Sequence, residues 1–130
     1  MTISKSAVIG IVAALGAAAA IAQQAGFTRV ALQDQPLSDP AKHAVQARAE
    51  FAPGIAAGKH THPGEELGYV IEGEILLEIA GQPPRTVKAG ESFFVPAGVV
   101  HDGKNTSSGT TKVLATYIVE KGKPVATPVK

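Results

Sequence analysis

The segment KHTHPGEELGYV, residues 59–70, contains two histidines separated by one residue and then a pair of glutamates. On a β-strand, side chains two positions apart point to the same face, so His60 and His62 would present both imidazoles to one side. A Pro-Gly pair then interrupts the strand, and a hairpin there would fold Glu66 back beside the histidines. The segment is therefore a candidate metal site; the alternative is a polar loop that faces solvent.

A third histidine, His101, follows the turn at residues 96–98 much later in the chain. Closure of a barrel would carry it to the same interior point as the first segment. Three imidazole nitrogens and one carboxylate oxygen suit a divalent first-row transition metal, and two coordination positions would stay open for water, substrate or dioxygen. Single histidines are more often exposed or hydrogen-bonded than metal-bound. His43, which has no comparable neighbour in the sequence, is left outside the site.

The chain from residue 43 to residue 120 consists of short apolar segments separated by Gly and Pro turns. Within one such segment, Ile75, Leu77 and Ile79 would share a face of a strand. No stretch here repeats with a helical period. Short strands at regular spacing predict an all-β fold, an antiparallel sandwich or barrel.

The start of the chain has the pattern of a secretory signal peptide. Lys5 supplies the positive charge, residues 7–22 are apolar, and Ala20-Ile21-Ala22 matches a small-residue cleavage site. The alternative is an uncleaved membrane anchor, but the apolar run is short and rich in alanine. We expect cleavage after Ala22, a mature chain that begins at Gln23, a periplasmic or secreted location and no membrane attachment after cleavage.

Composition narrows the classes of partner. The formal charge is +1, from 12 basic and 11 acidic residues, and the basic residues are scattered singly. The chain also has no Trp, so a nucleic acid partner is not expected. It has no cysteine, which excludes disulfides.

Exposed edge strands of a small sandwich need cover, and we expect a homodimer in which residues 27–51 pair with a second subunit.

Two longer patterns enclose the candidate ligands. G-x5-H-x-H-x3-E-x6-G runs from Gly54 to Gly73, and G-x5-P-x-G-x2-H-x3-N runs from Gly90 to Asn105. At every position they resemble the two motifs of the cupin superfamily, and the resemblance covers about residues 44–119. The glycine at position 73 would suit a tight turn that needs unusual backbone angles.

The resemblance implies a double-stranded β-helix, which is a jelly-roll barrel, with a metal ion inside. By matching position, the metal ligands would be His60, His62, Glu66 and His101. Asn105 completes the second motif and is assigned no metal role. The expected organisation is a signal peptide at 1–22, an arm with at most one short strand at 23–42, the cupin barrel at 43–120 and a loose tail at 121–130.

Cupins include dioxygenases, isomerases, decarboxylases, lyases and non-catalytic binding proteins, so the resemblance does not fix the activity. Our first hypothesis is an exported mononuclear metalloenzyme that acts on a small organic molecule, of the quercetin-dioxygenase-like kind; an isomerase or a lyase is the alternative chemistry. Glu66 would serve both as a ligand and as the catalytic proton acceptor. The other hypotheses are a non-catalytic domain that binds a small molecule through its metal and a structural domain.

The sequence defines the identity of the metal and the lining of the pocket less closely than it defines the ligands. Zn, Mn, Cu, Ni or Fe would suit the donor set. The affinity order favours Cu and Zn over Mn and Fe, so a site that requires iron would be harder to load outside the cytoplasm. We expect an apolar lining from residues that include Val70, Leu77, Phe94 and Val100. Tyr117 and Thr116 are further polar candidates on the last clear strand.

Overall fold

The structure of this protein is a computed structural model that describes residues 24–130, so the expected signal peptide lies outside the described residues. This range forms ten strands and no helix, and thus no helix there could span a membrane. The strands are β1 Phe27–Pro36, β2 Lys42–Phe51, β3 His60–Thr61, β4 Glu65–Glu72, β5 Glu74–Ile79, β6 Arg85–Lys88, β7 Ser92–Val95, β8 His101–Asn105, β9 Thr111–Glu120 and β10 Thr127–Pro128.

The strands form two five-stranded antiparallel sheets. One has the order β1-β2-β9-β4-β7 and the other has the order β10-β3-β8-β5-β6. This arrangement confirms the predicted all-β fold and is consistent with a double-stranded β-helix. The candidate ligands lie between the two sheets, because β3 and β8 belong to one sheet and β4 to the other.

Strand β9 shows why the sequence folds in this way. Its residues alternate strictly between buried and half-buried from Thr111 to Val119. β-Branched and aromatic residues favour such a pleated, half-buried surface. The buried members, which include Val113, Ala115 and Tyr117, point into the space between the sheets and make β9 a central strand with β2 and β4 on either side.

One passage from one sheet to the other occurs at Gly73, between β4 and β5. Its φ angle is +77°, in the left-handed region that favours glycine. A Cβ atom added there would lie 2.3 Å from Thr111 Oγ1, so the site also lacks room for a side chain. The tight turn expected at this motif glycine is confirmed.

The N-terminal segment differs from the expected arm. β1 pairs with β2 from Phe27 opposite Phe51 to Pro36 opposite His43, with an irregularity near Leu32. The rings of Phe27 and Phe51 pack with their centroids 4.7 Å apart. This aromatic contact anchors β1, and Pro36 ends the strand rather than preventing it.

The C-terminal segment is held against the barrel instead of being loose. Thr127 and Pro128 pair with β3, and the Val129 N–H donates to the carbonyl of Lys59 at 2.9 Å. Two prolines in the sequence suggested a mobile tail, but an edge strand tolerates proline. Residues 125–129 therefore cover the edge of β3, next to the candidate ligands.

The hairpin expected after His62 does not form. β3 and β4 are not paired, because β3 hydrogen-bonds to β8 and β10 whereas β4 hydrogen-bonds to β7 and β9. The Pro63-Gly64 segment instead crosses from one sheet to the other. At Gly64 a Cβ atom would lie 1.5 Å from the carbonyl oxygen of Ile118, so only glycine fits this crossing. Glu66 thus reaches the histidines from the opposite sheet.

Candidate metal site

The structure brings the four predicted ligands together. His60 lies on β3, His62 directly follows that strand, and His101 starts β8 in register with His60. Their imidazole nitrogens lie within 4.8 Å of one another. Glu66, on β4, faces them from the other sheet. The exposed fractions of His60, His62, Glu66 and His101 are 8%, 2%, 6% and 4%, so all four are buried.

Each histidine ring is oriented by a backbone carbonyl. The Nδ1 atoms of His60, His62 and His101 lie 2.6, 2.6 and 2.9 Å from the carbonyl oxygens of Gly58, Val125 and Val99. A carbonyl only accepts hydrogen bonds, so each Nδ1 must carry the proton. In a neutral ring the Nε2 atom then presents a lone pair, which is the arrangement usual in metal-binding histidines.

The inward-facing atoms make a strongly electron-rich centre. Glu66 Oε2 lies 3.0 Å from His62 Nε2 and 3.1 Å from His101 Nε2. The angle at His62 gives no hydrogen bond, and this buried Nε2 atom has no partner among residues 24–130. Lone pairs and a carboxylate so close together repel unless a cation lies between them. The donor set therefore fits a divalent transition metal ion.

The ionisation states also suit metal binding. Burial lowers the pKa of His60 to about 4, so its imidazole is neutral near pH 7. Burial by itself raises the pKa of Glu66, but the nearby imidazoles of His101 and His62 outweigh this effect and hold the pKa at about 2. Neutral imidazole and ionised carboxylate are the forms that bind metals. So low a pKa favours the role of ligand for Glu66 over that of proton acceptor.

A small cavity of ≈ 30 Å³ opens beside the histidines. His60, Glu66 and His101 form part of its wall, together with Arg29 from β1 and Tyr117 from β9. Burial raises the pKa of Tyr117, so its hydroxyl stays neutral and can donate a hydrogen bond. The remaining wall is mainly apolar.

Four of the predicted candidates do not line this cavity, namely Val70, Phe94, Val100 and Thr116. Thr116 lies on the opposite face of β9 from Tyr117, and its hydroxyl accepts a hydrogen bond from Gln46 at 3.2 Å. The expectation that Phe94 lines the pocket is wrong, since 52% of this side chain is exposed. β7 alternates, so Phe93 is the residue that points inward and lines the cavity, as does the predicted Leu77.

Asn105 has a structural task, in agreement with its lack of an assigned metal role. It is fully buried. Its Nδ2 atom donates to the carbonyls of Phe51 and Gly109, at 3.0 and 2.7 Å. Its Oδ1 atom accepts hydrogen bonds from the backbone of Ser107 at 2.8 Å and from Thr111 Oγ1 at 2.9 Å. These bonds close the loop between β8 and β9.

Sequence reasoning missed two contributors to the site. The first is Arg29, whose segment was expected to be an arm with at most one short strand. The second is the carbonyl of Val125, which orients His62. A backbone atom leaves no signal in the identity of its residue.

Comparison with known proteins places these features in a family. The cupin domain matches residues 47–117, which is more than half of the chain. The chain is 40% identical over 68 residues to the HTH-type transcriptional regulator PuuR of Escherichia coli, covering 52% of this chain and 36% of that protein. It is 33% identical over 78 residues to oxalate oxidase 2 of Hordeum vulgare, covering 54% and 35%.

The fold is similar to solved structures as well. A structure of oxalate oxidase in complex with the substrate analogue glycolate aligns with a TM-score of 0.68 and 27% identity, over 83% of this chain and 57% of that one. For the two curated relatives named above, PuuR and oxalate oxidase 2, the matched region is about a third of the relative's length. Two antiparallel sheets, both motifs and the family match agree, and this chain belongs to the cupin domain family.

Proposed function

We propose that this protein is a mononuclear metal-dependent enzyme that acts on a small organic molecule. The observation that carries the proposal is the set of three buried imidazoles, each with its Nδ1 atom fixed by a carbonyl, whose possible ligand atoms lie within 4.8 Å of one another. A purely structural set of histidines would not need to bring its nitrogen lone pairs this close together and, for His62 and His101, close to the carboxylate of Glu66. The similarity to oxalate oxidases supports this class of function.

The proposed ligands are His60, His62, His101 and Glu66, for one Zn, Mn, Cu, Ni or Fe ion. A bound divalent ion supplies a Lewis acid that can polarise an oxygen atom of the substrate. The chain supplies the geometry and a dry environment: Glu66 is held ionised, and Tyr117 offers a neutral hydroxyl beside the cavity. The Tyr117 hydroxyl would donate a hydrogen bond to the bound molecule.

The size of the cavity bears on the substrate. A volume of ≈ 30 Å³ is room for roughly two or three water-sized probes. An oxygenase of the quercetin-dioxygenase-like kind is the specific form that the sequence suggested. The cavity favours a substrate of a few heavy atoms over a flavonol.

A non-catalytic binding domain is the second candidate. Its support is the 40% identity to a transcriptional regulator, in which the matched region is about a third of the protein. In that case the same metal would anchor a small effector without turnover. The two candidates differ in one measurement, which is the disappearance of a bound small molecule over time in the metal-loaded protein.

The location remains a proposal based on the sequence. The positive residue, apolar run and Ala20-Ile21-Ala22 site at the start of the chain support export and cleavage after Ala22. An exported protein would acquire its metal outside the cytoplasm, where the affinity order favours Cu and Zn.

The first test is elemental analysis of the purified protein and of the His60→Ala variant. We expect about one metal equivalent per chain in the wild type, because four donors are already arranged for it, and a large loss in the variant. His43→Ala is the matched control, since His43 lies on β2 and bonds to Asp34 away from the site. Wild-type protein with no more metal than the His60→Ala variant would overturn the proposed function.

A further inference from the structure

Arg29 places a positive charge at the wall of the cavity that no carboxylate of the described residues balances. Its Nη2 atom lies 3.4 Å from His60 Nε2. Its Nε atom is buried and has no acceptor within residues 24–130. The ion pairs of this range do not include Arg29. Buried charged donors without acceptors are costly, so this arrangement calls for a ligand.

The guanidinium group is held in place before any ligand arrives. It lies over the ring of Phe27, with its central carbon 4.8 Å from the ring centroid, a cation–π contact. Phe27 in turn packs against Phe51. On the other side Arg29 is close enough to the Tyr117 hydroxyl to favour the ionised phenolate, although burial has the larger effect on that pKa.

The two donors of interest, Nε and Nη2, lie on the same edge of the planar guanidinium group. This edge matches the two oxygen atoms of a carboxylate and allows two parallel hydrogen bonds. If His60 is a metal ligand, its Nε2 lone pair is no longer available to Arg29. The Nη2 atom then loses its acceptor as well, and the whole edge is free for an anion.

The charges around the cavity favour the same class of ligand. With a divalent cation bound, the histidine ligands would be neutral. Glu66 is the one acidic side chain that lines the cavity, and Arg29 adds a positive charge. The sum is positive. The apolar neighbours, such as Leu77 and Phe93, would strengthen the attraction for an anion by excluding water.

We propose that Arg29 is a substrate-binding residue that holds the carboxylate group of a small organic acid in the cavity beside the three histidines. This inference rests on the proposed function and deepens it, because it names small carboxylates as the substrate class. The volume of ≈ 30 Å³ limits the acid to a few heavy atoms.

The test is a binding titration on protein loaded with cobalt(II), whose visible absorption responds to a new ligand at the metal. We expect sodium glycolate to change the spectrum of the wild type with a saturable profile. Arg29→Gln should weaken this binding about 10- to 100-fold, because it removes a charge-assisted pair of hydrogen bonds. Arg29→Lys should restore part of the affinity, since the charge returns without the two-donor edge.

Arg48→Gln is the matched control. Arg48 lies on β2, points away from the cavity and pairs with Glu50 at 2.7 Å, so glycolate binding should be unchanged. The wild type also provides a test that needs no variant: ethylene glycol, which lacks the carboxylate, should not produce the spectral change at the same concentrations.

Cobalt content is measured in every sample, which separates the two proposals. A wild type that takes up no cobalt overturns the proposed function and this inference with it. A wild type that binds cobalt while Arg29→Gln binds glycolate equally well overturns the inference alone. Equal spectral responses to glycolate and ethylene glycol, or no response to glycolate in the cobalt-loaded wild type, also overturn the inference alone.

Discussion

His60 is buried in its neutral form, and this costs stability at low pH. Burial lowers the pKa of its imidazole from 6.5 to about 4. Between these values the unfolded chain binds more protons than the folded one, so the free energy of unfolding rises with pH through this window. The contribution is fully present above pH 6.5 and is lost as the pH falls through 4. Below 4.5, the lowered pKa of Glu66 acts in the same direction.

We therefore expect metal-free protein to lose on the order of 3 kcal/mol of unfolding free energy between pH 7 and pH 4 through His60. Urea unfolding followed by circular dichroism, with a chelator present, measures it; the chain has no Trp for fluorescence. His60→Gln should flatten the dependence and His43→Gln should not. A His60→Gln protein with the wild-type pH dependence would show that other groups are responsible.

The residues that form the site differ in how easily they can be identified from the sequence. His60, His62, Glu66 and His101 could be proposed together because their spacing follows two motifs, and the structure does bring them together. Arg29 carries no such signal, since an arginine that points inward on a strand has the same letter as one that points outward. Its direction depends on the register of β1 with β2, which follows from packing of the whole sheet.

At the scale of elements, strands with alternating apolar residues were easier to predict than strands that contain proline. The alternation of Ile75, Leu77 and Ile79 identified β5, which the structure confirms. The full length of β1 and the existence of β10 were not predicted, because prolines normally interrupt strands. The pairing of β3 could not be predicted from the sequence, since a strand of two residues is too short to show a periodicity.

Strand β10 leads to a prediction about metal affinity. Removing residues 125–130 deletes the Val125 carbonyl that accepts a hydrogen bond from His62 Nδ1. The ring of His62 would then lose its fixed tautomer and direction. We expect metal affinity to fall about 10- to 100-fold, as for other groups that orient a metal ligand. Competition with a coloured chelator measures the change.

Val125→Ala is the control for this truncation, because it keeps the carbonyl and shortens only the side chain. It should bind metal nearly as well as the wild type. If the truncated protein and Val125→Ala have the same affinity, the carbonyl does not support His62.

At the scale of the whole molecule, β1 is the edge of its sheet and the predicted homodimer would form there. Leu32, near the irregularity of β1, has 46% of its surface exposed. A charge on an edge strand opposes pairing with another chain. We expect light scattering to give the mass of two chains for the wild type and of one chain for Leu32→Lys. Leu67→Lys, an exposed leucine on β4, is the control; a monomeric wild type would contradict the dimer.

The division of the ligands between the sheets has a mechanical consequence. Glu66 comes from one sheet, and His60 and His101 come from strands of the other. A metal bound by all of them would be a cross-link through the core of a chain that contains no cysteine. Like a disulfide, it would restrict the separation of distant segments in the unfolded chain. Unlike a disulfide, it can be withdrawn by a chelator or by acid, so the rigidity of this barrel would follow the supply of metal around it.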